Sequence, residues 1–594
     1  YLGTNLQNGF PCFNASILRV DHAPPRKFPT VFHNNHLLIG GGFLKSYDGY
    51  RSMEVGFLRR PQVKSTSVGV AVESVTGDTG RMEPGAYTYR VVYEYIDKAG
   101  NLHRSPPSDP VDVTTTDTNT STGSGASNDG HAKITIFNYQ HSLRMFEYDQ
   151  VRVVLYRSLK NQVTSFRVAD APNNFNQLTQ ELIDLNGDDD IFDKHNPSNT
   201  HQLLYTNAEA ASENLGSITD IAVHQNRVFL ASADNRVHIC KPTARGLAPE
   251  PYARGSFMFR EVEGGSESVR GIESNGDYLL VFTNENVFGV AGQGPLPDGS
   301  GSTLTEPRII IAGQGAVEGT IHVTIPAGCI YQSERGLYIV GRNTQVSYVG
   351  AAVEDLTVYR AITAVANDAR HELYIGLGDP LAGGADFTGY SKILVYNYFF
   401  DAWSQYTHTA SVMGYNLGLH VVGGVLHQSR ATYGQYWDGS TERQSSAGSD
   451  VGFWKEDTGS FWDVSEGGSP TYDKFSTIVE TPSIYLNDMQ GAQRVYRVMF
   501  QGEYLGDHDI NVVMTVDHDA SSAHSQTQTA SALSTKDQYR LPVKRQKCRA
   551  MKIKHTITPN SSSAQANGLF KLSGLAMEIG LKGSGFKLAK GDTI

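Results

Sequence analysis

The 594-residue chain has only four cysteines, Cys12, Cys240, Cys329 and Cys548. They lie far apart and show no C-x-x-C spacing. Neither a disulfide scaffold nor a zinc cluster is expected, and buried free thiols made in a reducing cytosol are the plain reading. No stretch of about 18 consecutive apolar residues occurs, so no membrane-spanning helix is expected. The opening residues, YLGTNLQNGF, lack a basic region and an apolar core, and no signal peptide is expected there. The chain starts at Tyr1 and not at methionine, so an upstream segment is also an expectation. Runs with helical periodicity are scarce. Catalytic signatures are missing as well: there is no G-x-S-x-G elbow, no Walker loop and no H-E-x-x-H.

The near-misses are instructive. His33 and His36 have H-x-x-H spacing, but on a strand or turn this does not aim both rings at one metal. Asp184, Asn186 and Asp188 alternate like the first ligands of a calcium loop. Asp189 then stands where that loop needs glycine and His195 where it needs a closing glutamate, so a solvated acidic turn is expected. The Gly292–Gly294 and Gly313–Gly315 pairs are too short for phosphate loops. Glu354 and Asp355 could serve a glycosidase only if the fold brought a second carboxylate into register. No cofactor, metal site or catalytic residue is assigned from the sequence.

What the chain does have is glycine, tyrosine and short β-length runs: 60 Gly and 30 Tyr with 39% hydrophobic residues. These point to an all-β chain rich in turns. One grammar recurs: an apolar pair, a polar turn, an apolar strand, a second turn and a closing strand. It is clearest in Ala327–Gly350, AGCIYQSERGLYIVGRNTQVSYVG. It returns in Ile218–Pro242, Val269–Gly292, Ile362–Tyr406, more weakly in His420–Gly439, and in Val31–Arg51. Starts at 218, 269, 327, 362 and 420 are 51, 58, 35 and 58 residues apart, against roughly 40 to 50 residues for a four-stranded propeller blade. The reading is an irregular β-propeller, although such degenerate repeats also fit an irregular sandwich.

Between the first copy and the rest the rhythm differs. Gly85–Thr114 alternates through Tyr87, Tyr89, Val91 and Tyr93, turns at Asp97–Gly100 and bends at a proline pair, as in an immunoglobulin or fibronectin-like sandwich. The expected order is therefore a first blade over 1–61, an inserted sandwich projecting from the ring over 62–170, and a polar linker over 171–213. The remaining blades follow over 214–440, then a Gly/Ser-rich arm over 441–470 and a C-terminal β-sandwich over 471–594.

Charge is split along the chain. From Lys536 onward there are twelve Lys or Arg against three acids, a balance of +9, which leaves −20 for the remainder of a chain whose net charge is −11. An acidic body repels polyanions and a basic end suits an acidic partner. Lys544, Arg545, Lys547, Arg549, Lys552 and Lys554 are accordingly the candidate partner contact. In a strand over 548–557, alternation would put Lys552 and Lys554 on one face with Cys548, and Arg549, Met551 and Ile553 on the other.

Taken in order, RVVYEYIDKAGNLHRSPPS, IAVHQNRVFLASADNRV, GDYLLVFTNENVFGVAGQGP, YQSERGLYIVGRNTQVSYVG, MQGAQRVYRVMFQGEY, LPVKRQKCRAMKI and LSGLAMEIGLKGSGFKL resemble the propeller-containing tail hub or nozzle proteins of short-tailed bacteriophages, including tail proteins of the DNA-stabilisation type. The resemblance implies a non-enzymatic part of the virion tail, made in the host cytoplasm and assembled as a homo-oligomeric ring, typically of six copies. Such a ring sits below the portal and adaptor, carries fibres or a plug, and extends the channel through which genomic DNA leaves without specific binding. Two other readings stand beside it. One is a propeller glycosidase or depolymerase whose sugar site would use Trp403, Tyr436 and Trp437. The other is a non-catalytic glycan- or receptor-binding propeller.

Overall fold

The computed structural model describes residues 29–48, 52–70, 82–115, 130–138, 144–146, 151–174, 176–192, 202–204, 215–251, 258–259, 267–297, 300–356, 358–378, 392–407, 414–432, 435–437, 442–444, 451–455, 462–465, 471–474, 476–485, 493–504, 508–517, 519–529, 538–559 and 570–580. They are almost entirely β, and they divide into two compact units. Tyr1–Tyr406 with Trp437–Thr441 forms one, and Thr407–Tyr436 with Glu442–Ile594 the other.

The first unit is an irregular β-propeller carrying an inserted sandwich. Five antiparallel sheets of four strands, each in simple chain order, begin at Thr30, Ile218, Val269, His322 and Arg360. Tight turns make this possible. Asn34–Asn35 and Gln225–Asn226 both take φ between 47° and 61°, the left-handed region that two-residue hairpins require and that asparagine tolerates. The first strands of successive sheets touch one another. Between each successive pair lies an apolar cluster: Leu38 and Leu44 with Ile221 and Leu230, Phe229 with Leu279 and Val281, Leu280 and Phe282 with Tyr331, and Ile330 with Leu373 and Ile375. Sheets stacked face to face with their first strands innermost are propeller blades. The N-terminal sheet joins the later ones through Gly41 N–H to Ile218 O at 2.7 Å and Ile218 N–H to Gly42 O at 2.8 Å.

The inserted sandwich is two sheets. One holds the strands Gly85–Ile96, Leu102–Arg104, Val111–Thr115, Val151–Ser158 and Ser165–Pro172, the other Gln62–Val70, Gly130–Phe137 and Thr179–Asp184. Tyr87, Tyr89, Val91 and Tyr93 point into a core shared with Ile134, Ile136 and Leu182. Two expectations change here. The stretch 171–213 is not only a linker: Thr179–Asp184 pairs with Gly130–Phe137, and Asp188–Ile191 makes one helical turn. Nor does the sandwich simply project from the ring. Leu102 N–H bonds Gly246 O at 2.8 Å, Ala248 N–H bonds Leu102 O at 3.0 Å, and Arg104 grips Glu250 through both oxygens at 2.6 and 2.8 Å.

In the second unit, the expected blade at His420–Gly439 is the hairpin Gly414–Val422/Val425–Thr432, whose third strand, Val451–Lys455, comes from within the expected arm. The segment over 407–436 clusters with the C-terminal part, and the last strand of the five blades is Ala402–Thr407, so the blades do not run on to 440. Glu442–Gln444 and Trp462–Ser465 are also strands inside that arm. The C-terminal domain is a β-sandwich of a five-stranded and a three-stranded sheet around Val498, Phe500, Val512, Met514, Met551 and Ile553.

His555 lies in this core, buried, stacked on Phe500 at 4.3 Å, with neither ring nitrogen hydrogen-bonded. Burial, reinforced by His508, lowers its pKa from 6.5 to about 4. The neutral ring is thus favoured in the folded state. Its contribution is fully present above about pH 6.5 and is lost as pH falls toward 4. The expected acid penalty is up to ~3 kcal/mol. Thermal melts of the whole chain between pH 7.5 and about 4.5 should show a steep acid loss in wild type and a shallower one in His555→Leu. Equal slopes would remove His555 as the cause.

Candidate functional site

Glycoside hydrolysis needs two carboxyl groups with room between them for sugar or water, and the first strands of the blades touch one another. Two acids stand on these first strands among the described residues: Asp220 on Ile218–His224, and half-buried Glu273 on Val269–Asn275, which accepts from Thr324 Oγ at 3.1 Å. Asp220 lies beside a register shift between Ile218 and itself and reaches the next two blades. Asp220 is buried; its Oδ2 accepts the backbone N–H of Ile272 at 2.8 Å and is also held by His322 Nε2. His322 stacks on Phe282 at 5.3 Å and passes directly over Gly271, where a Cβ would lie 2.1 Å from the imidazole. One carboxylate thus ties three blades together. Around it, Thr324 Oγ donates to Ser274 O at 2.7 Å, His224 Nδ1 meets Ser274 Oγ at 2.8 Å, and Arg270 pairs with Glu318 at 2.8 Å. Between the fourth and fifth blades, Gln332 donates to Tyr359 O and accepts from Ala361 N–H, both at 2.7 Å. The axial polar groups are spent on joining blades.

A second polar centre lies where the sandwich meets the first blade. His36, Asp97 and His103, all buried, bring one ligand atom each within 4.8 Å of one another, the kind of set that can hold a metal. Their other partners decide the question. His103 Nδ1 accepts the N–H of Gly56 at 3.1 Å, so its proton sits on Nε2 and is donated to Asp97 Oδ2 at 2.9 Å. Asn101 Nδ2 lies 3.1 Å from His36 Nε2 and 3.3 Å from its Nδ1, and His36 Nε2 meets the same Asp97 oxygen. A metal at these Nε2 atoms would force a proton onto His103 Nδ1, which already faces the Gly56 N–H, and would displace the Asn101 amide from His36 Nε2. The centre is a hydrogen-bonded lock. Burial alone would raise the Asp97 carboxyl; the bonds from His103, His36 and the Asn101 backbone hold it far below the usual range. Burial and then Arg144 push His103 down to about 3. Arg144, buried between Phe57 and Tyr95, donates to the carbonyls of Glu54 and Gly56. His33 is not part of it: its ring bonds Thr243 Oγ at 2.6 Å.

The expected solvated turn at Asp184–Asp188 is instead an arginine clamp. Arg157 and Asp184 are fully buried; Arg157 Nη1 reaches Asp184 at 2.7 Å and Asn186 O at 2.7 Å, and Nη2 reaches Asp188 at 2.9 Å. Tyr89 OH donates to Asp184 at 2.7 Å. Alternating acids looked solvated because the arginine that claims them lies 27 residues upstream.

Of the sequence-predicted contact residues, Lys552 and Lys554 are exposed on the outer face of the strand Ala550–Pro559, where Met551, Ile553, His555 and Ile557 point inward. Lys552 pairs with Glu480 at 2.6 Å, and Glu480 stands opposite Lys554 in the register. Arg549 does not share the face of Met551 and Ile553 as expected. The chain bends there between the strands Gln538–Cys548 and Ala550–Pro559, which belong to different sheets, so alternation breaks and Arg549 is exposed. Lys544, Arg545 and Lys547 are in the former strand, their side chains outside the described residues. Trp403 is half-buried, stacked on Tyr396 at 4.6 Å and bonded to Val349 O at 2.9 Å, contacts that pack the fifth blade on the fourth. The side chains of Tyr436 and Trp437 lie outside the described residues. Glu354 and Asp355 are exposed on the 3-10 stretch Gly350–Leu356.

No protein-family model matches the chain, and no curated protein sequence matches it. Among solved structures it is similar to an exo-β-1,3-galactanase from Phanerochaete chrysosporium (12% identity, TM-score 0.22, covering 64% of this chain and 97% of that one). It is also similar to a glycoside hydrolase family 43 arabinoxylan arabinofuranohydrolase from Bacillus subtilis (8%, 0.19, 75% and 93%). A third is the Trypanosoma rangeli sialidase (9%, 0.18, 93% and 91%). Likeness at this level carries no argument about chemistry.

Proposed function

We propose that the chain is a structural ring subunit of a short-tailed bacteriophage tail, a hub or nozzle that extends the DNA-ejection channel. In this reading it docks to portal- or adaptor-side proteins on one side and to fibres or a plug on the other. The ring is expected to hold six copies in the virion. The observation that carries the proposal is the use of the axial polar groups. Asp220, one of the two acids on the touching first strands, is buried and bonded to Ile272 N–H and His322. Hydrolysis needs two carboxyl groups flanking a bond with room for sugar or water; a wall needs blades that do not move against one another. The acidic balance outside the C-terminal region suits a conduit that must not retain phosphates.

Imaging of intact particles tests it: the chain should occupy a ring in the tail around the DNA path. In parallel, the purified protein should release no reducing ends from host surface polysaccharide. Polysaccharide cleavage that disappears in Asp220→Asn would overturn the structural reading in favour of a hydrolase.

A further inference from the structure

The inserted sandwich and the first two blades have separate cores. Among the described residues, the apolar cluster built on Tyr87, Val91 and Ile134 shares no member with the cluster of Leu38, Leu44 and Leu230. The hairpin Asp97–Arg104 of the sandwich bridges the two with polar bonds. Toward the first blade, Asp97 Oδ2 meets His36 Nε2, and Lys98 N–H bonds the Asp48 carboxylate at 3.2 Å. Toward the second, Leu102 exchanges backbone bonds with Gly246 and Ala248. Arg104 holds Glu250 there, and Lys241 Nζ reaches the same carboxylate at 3.2 Å.

The contact with the first blade runs through one oxygen. Asp97 Oδ2 takes His36 from the blade and, at 2.9 Å, His103 from the hairpin itself. All three side chains are buried. His103 has no place for a second proton while docked, because its Nδ1 faces the Gly56 N–H at 3.1 Å. Tyr95 packs on its ring, and the Arg144 cation opposes a second charge, with Glu54 and Asp48 acting on Arg144 in turn. Asp97 and the His36 ring complete the groups that face it.

We propose that the hairpin Asp97–Arg104 is an acid-sensitive latch, which holds the sandwich against the first two blades near neutral pH and releases it on acidification with both cores still folded. Burial and Arg144 outweigh Asp97 and hold docked His103 down to about 3, whereas an opened hairpin returns the ring toward its ordinary 6.5. The docked state is therefore fully favoured above pH 6.5 and loses that advantage as pH falls toward 3. Asp97, held far below its usual range while docked, adds a second loss below its ordinary 3.8. An apolar seam would not respond in this way, because its burial takes up no proton; a histidine-centred one does. The latch lies wholly within the first unit and does not depend on the ring reading.

Hydrogen exchange of the full chain between pH 7.5 and 4.5 tests it, read by mass spectrometry as protection relative to the intrinsic rate at each pH. Peptides containing Leu102 and Ala248 report the latch, since their N–H groups bond across the junction. Peptides from Val151–Ser158 and Arg227–Ser232 report the two cores. Two pH units below 6.5, the junction peptides should have lost about 100-fold in protection, with the cores unchanged and the loss reversed at pH 7.5. In His103→Gln, which cannot titrate, the same pH step should cost about twofold or less. Should that substitution itself open the hairpin, its junction peptides will be unprotected at pH 7.5 over intact cores, the released state reached by another route. Wild-type junction protection that holds to pH 4.5 would overturn the latch. So would junction and cores failing at the same pH, or a docked His103→Gln that keeps the wild-type pH dependence.

Discussion

Arg157→Met is expected to be among the most damaging single substitutions in the inserted sandwich. Arg157 and Asp184 are fully buried and bonded at 2.7 Å. Removing the guanidinium leaves a carboxylate with no countercharge in a core of tyrosines, a loss of about 3–5 kcal/mol. Methionine keeps much of the volume, so the effect is electrostatic more than steric. The four tryptophans, at 403, 437, 454 and 462, all lie outside the sandwich, so indole fluorescence would miss the change. Amide exchange in Gly85–Ile96 and Val151–Ser158 reads it directly, and protection should fall by roughly two to four decades. Adding Asp184→Asn should recover a large part, because the orphaned charge goes with it. A double variant as weak as the single one would show that packing, not charge, is what Arg157 supplies.

Gly271→Ala is the second. The added Cβ would lie 2.1 Å from the His322 ring, so the imidazole must leave Asp220. That strands a buried carboxylate at the centre of three blades, and the expected loss is again about 3–5 kcal/mol. In a strand, alanine would by itself be favoured over glycine by roughly 0.5–1 kcal/mol; the clash decides the sign. His322→Ala breaks the same bond by another route, so the two substitutions should not add, and the double variant should melt close to either single one. Additive losses would separate the glycine from the Asp220–His322 clamp. Both residues are buried, so neither change alters the surface.

The blades were legible because their signals are local. In Ile218–His224 and Arg227–Ser232, an apolar run, an Asn-containing turn that tolerates positive φ and a second apolar run lie within 15 residues of one another. The tyrosine alternation of Gly85–Ile96 was likewise readable as one inward face. Strands with little apolar content were not: Asp519–Thr529, DASSAHSQTQT, pairs with His508–Val516 through its backbone and carries no hydrophobic period. The break at Arg549 was hidden for a related reason. The run from Gln538 to Pro559 looks like strand on both sides of it, and nothing in the residue types announces a change of sheet.

The sequence by itself determined an all-β chain, its turn-bounded hairpins, the order of blades, sandwich and C-terminal sandwich, and the concentration of positive charge near the end. Each depends on residues close together in the chain, where alternation and turn chemistry act directly. Only the tertiary structure decided that His36 meets Asp97 across 61 positions, that Asp220 meets His322 across 102, and that Arg104 meets Glu250 across 146. These polar pairs have no periodicity to betray them. Their partners are chosen by which strands become neighbours, and burial then makes each bond obligatory, since a buried charge or donor left alone costs more than the pair contributes.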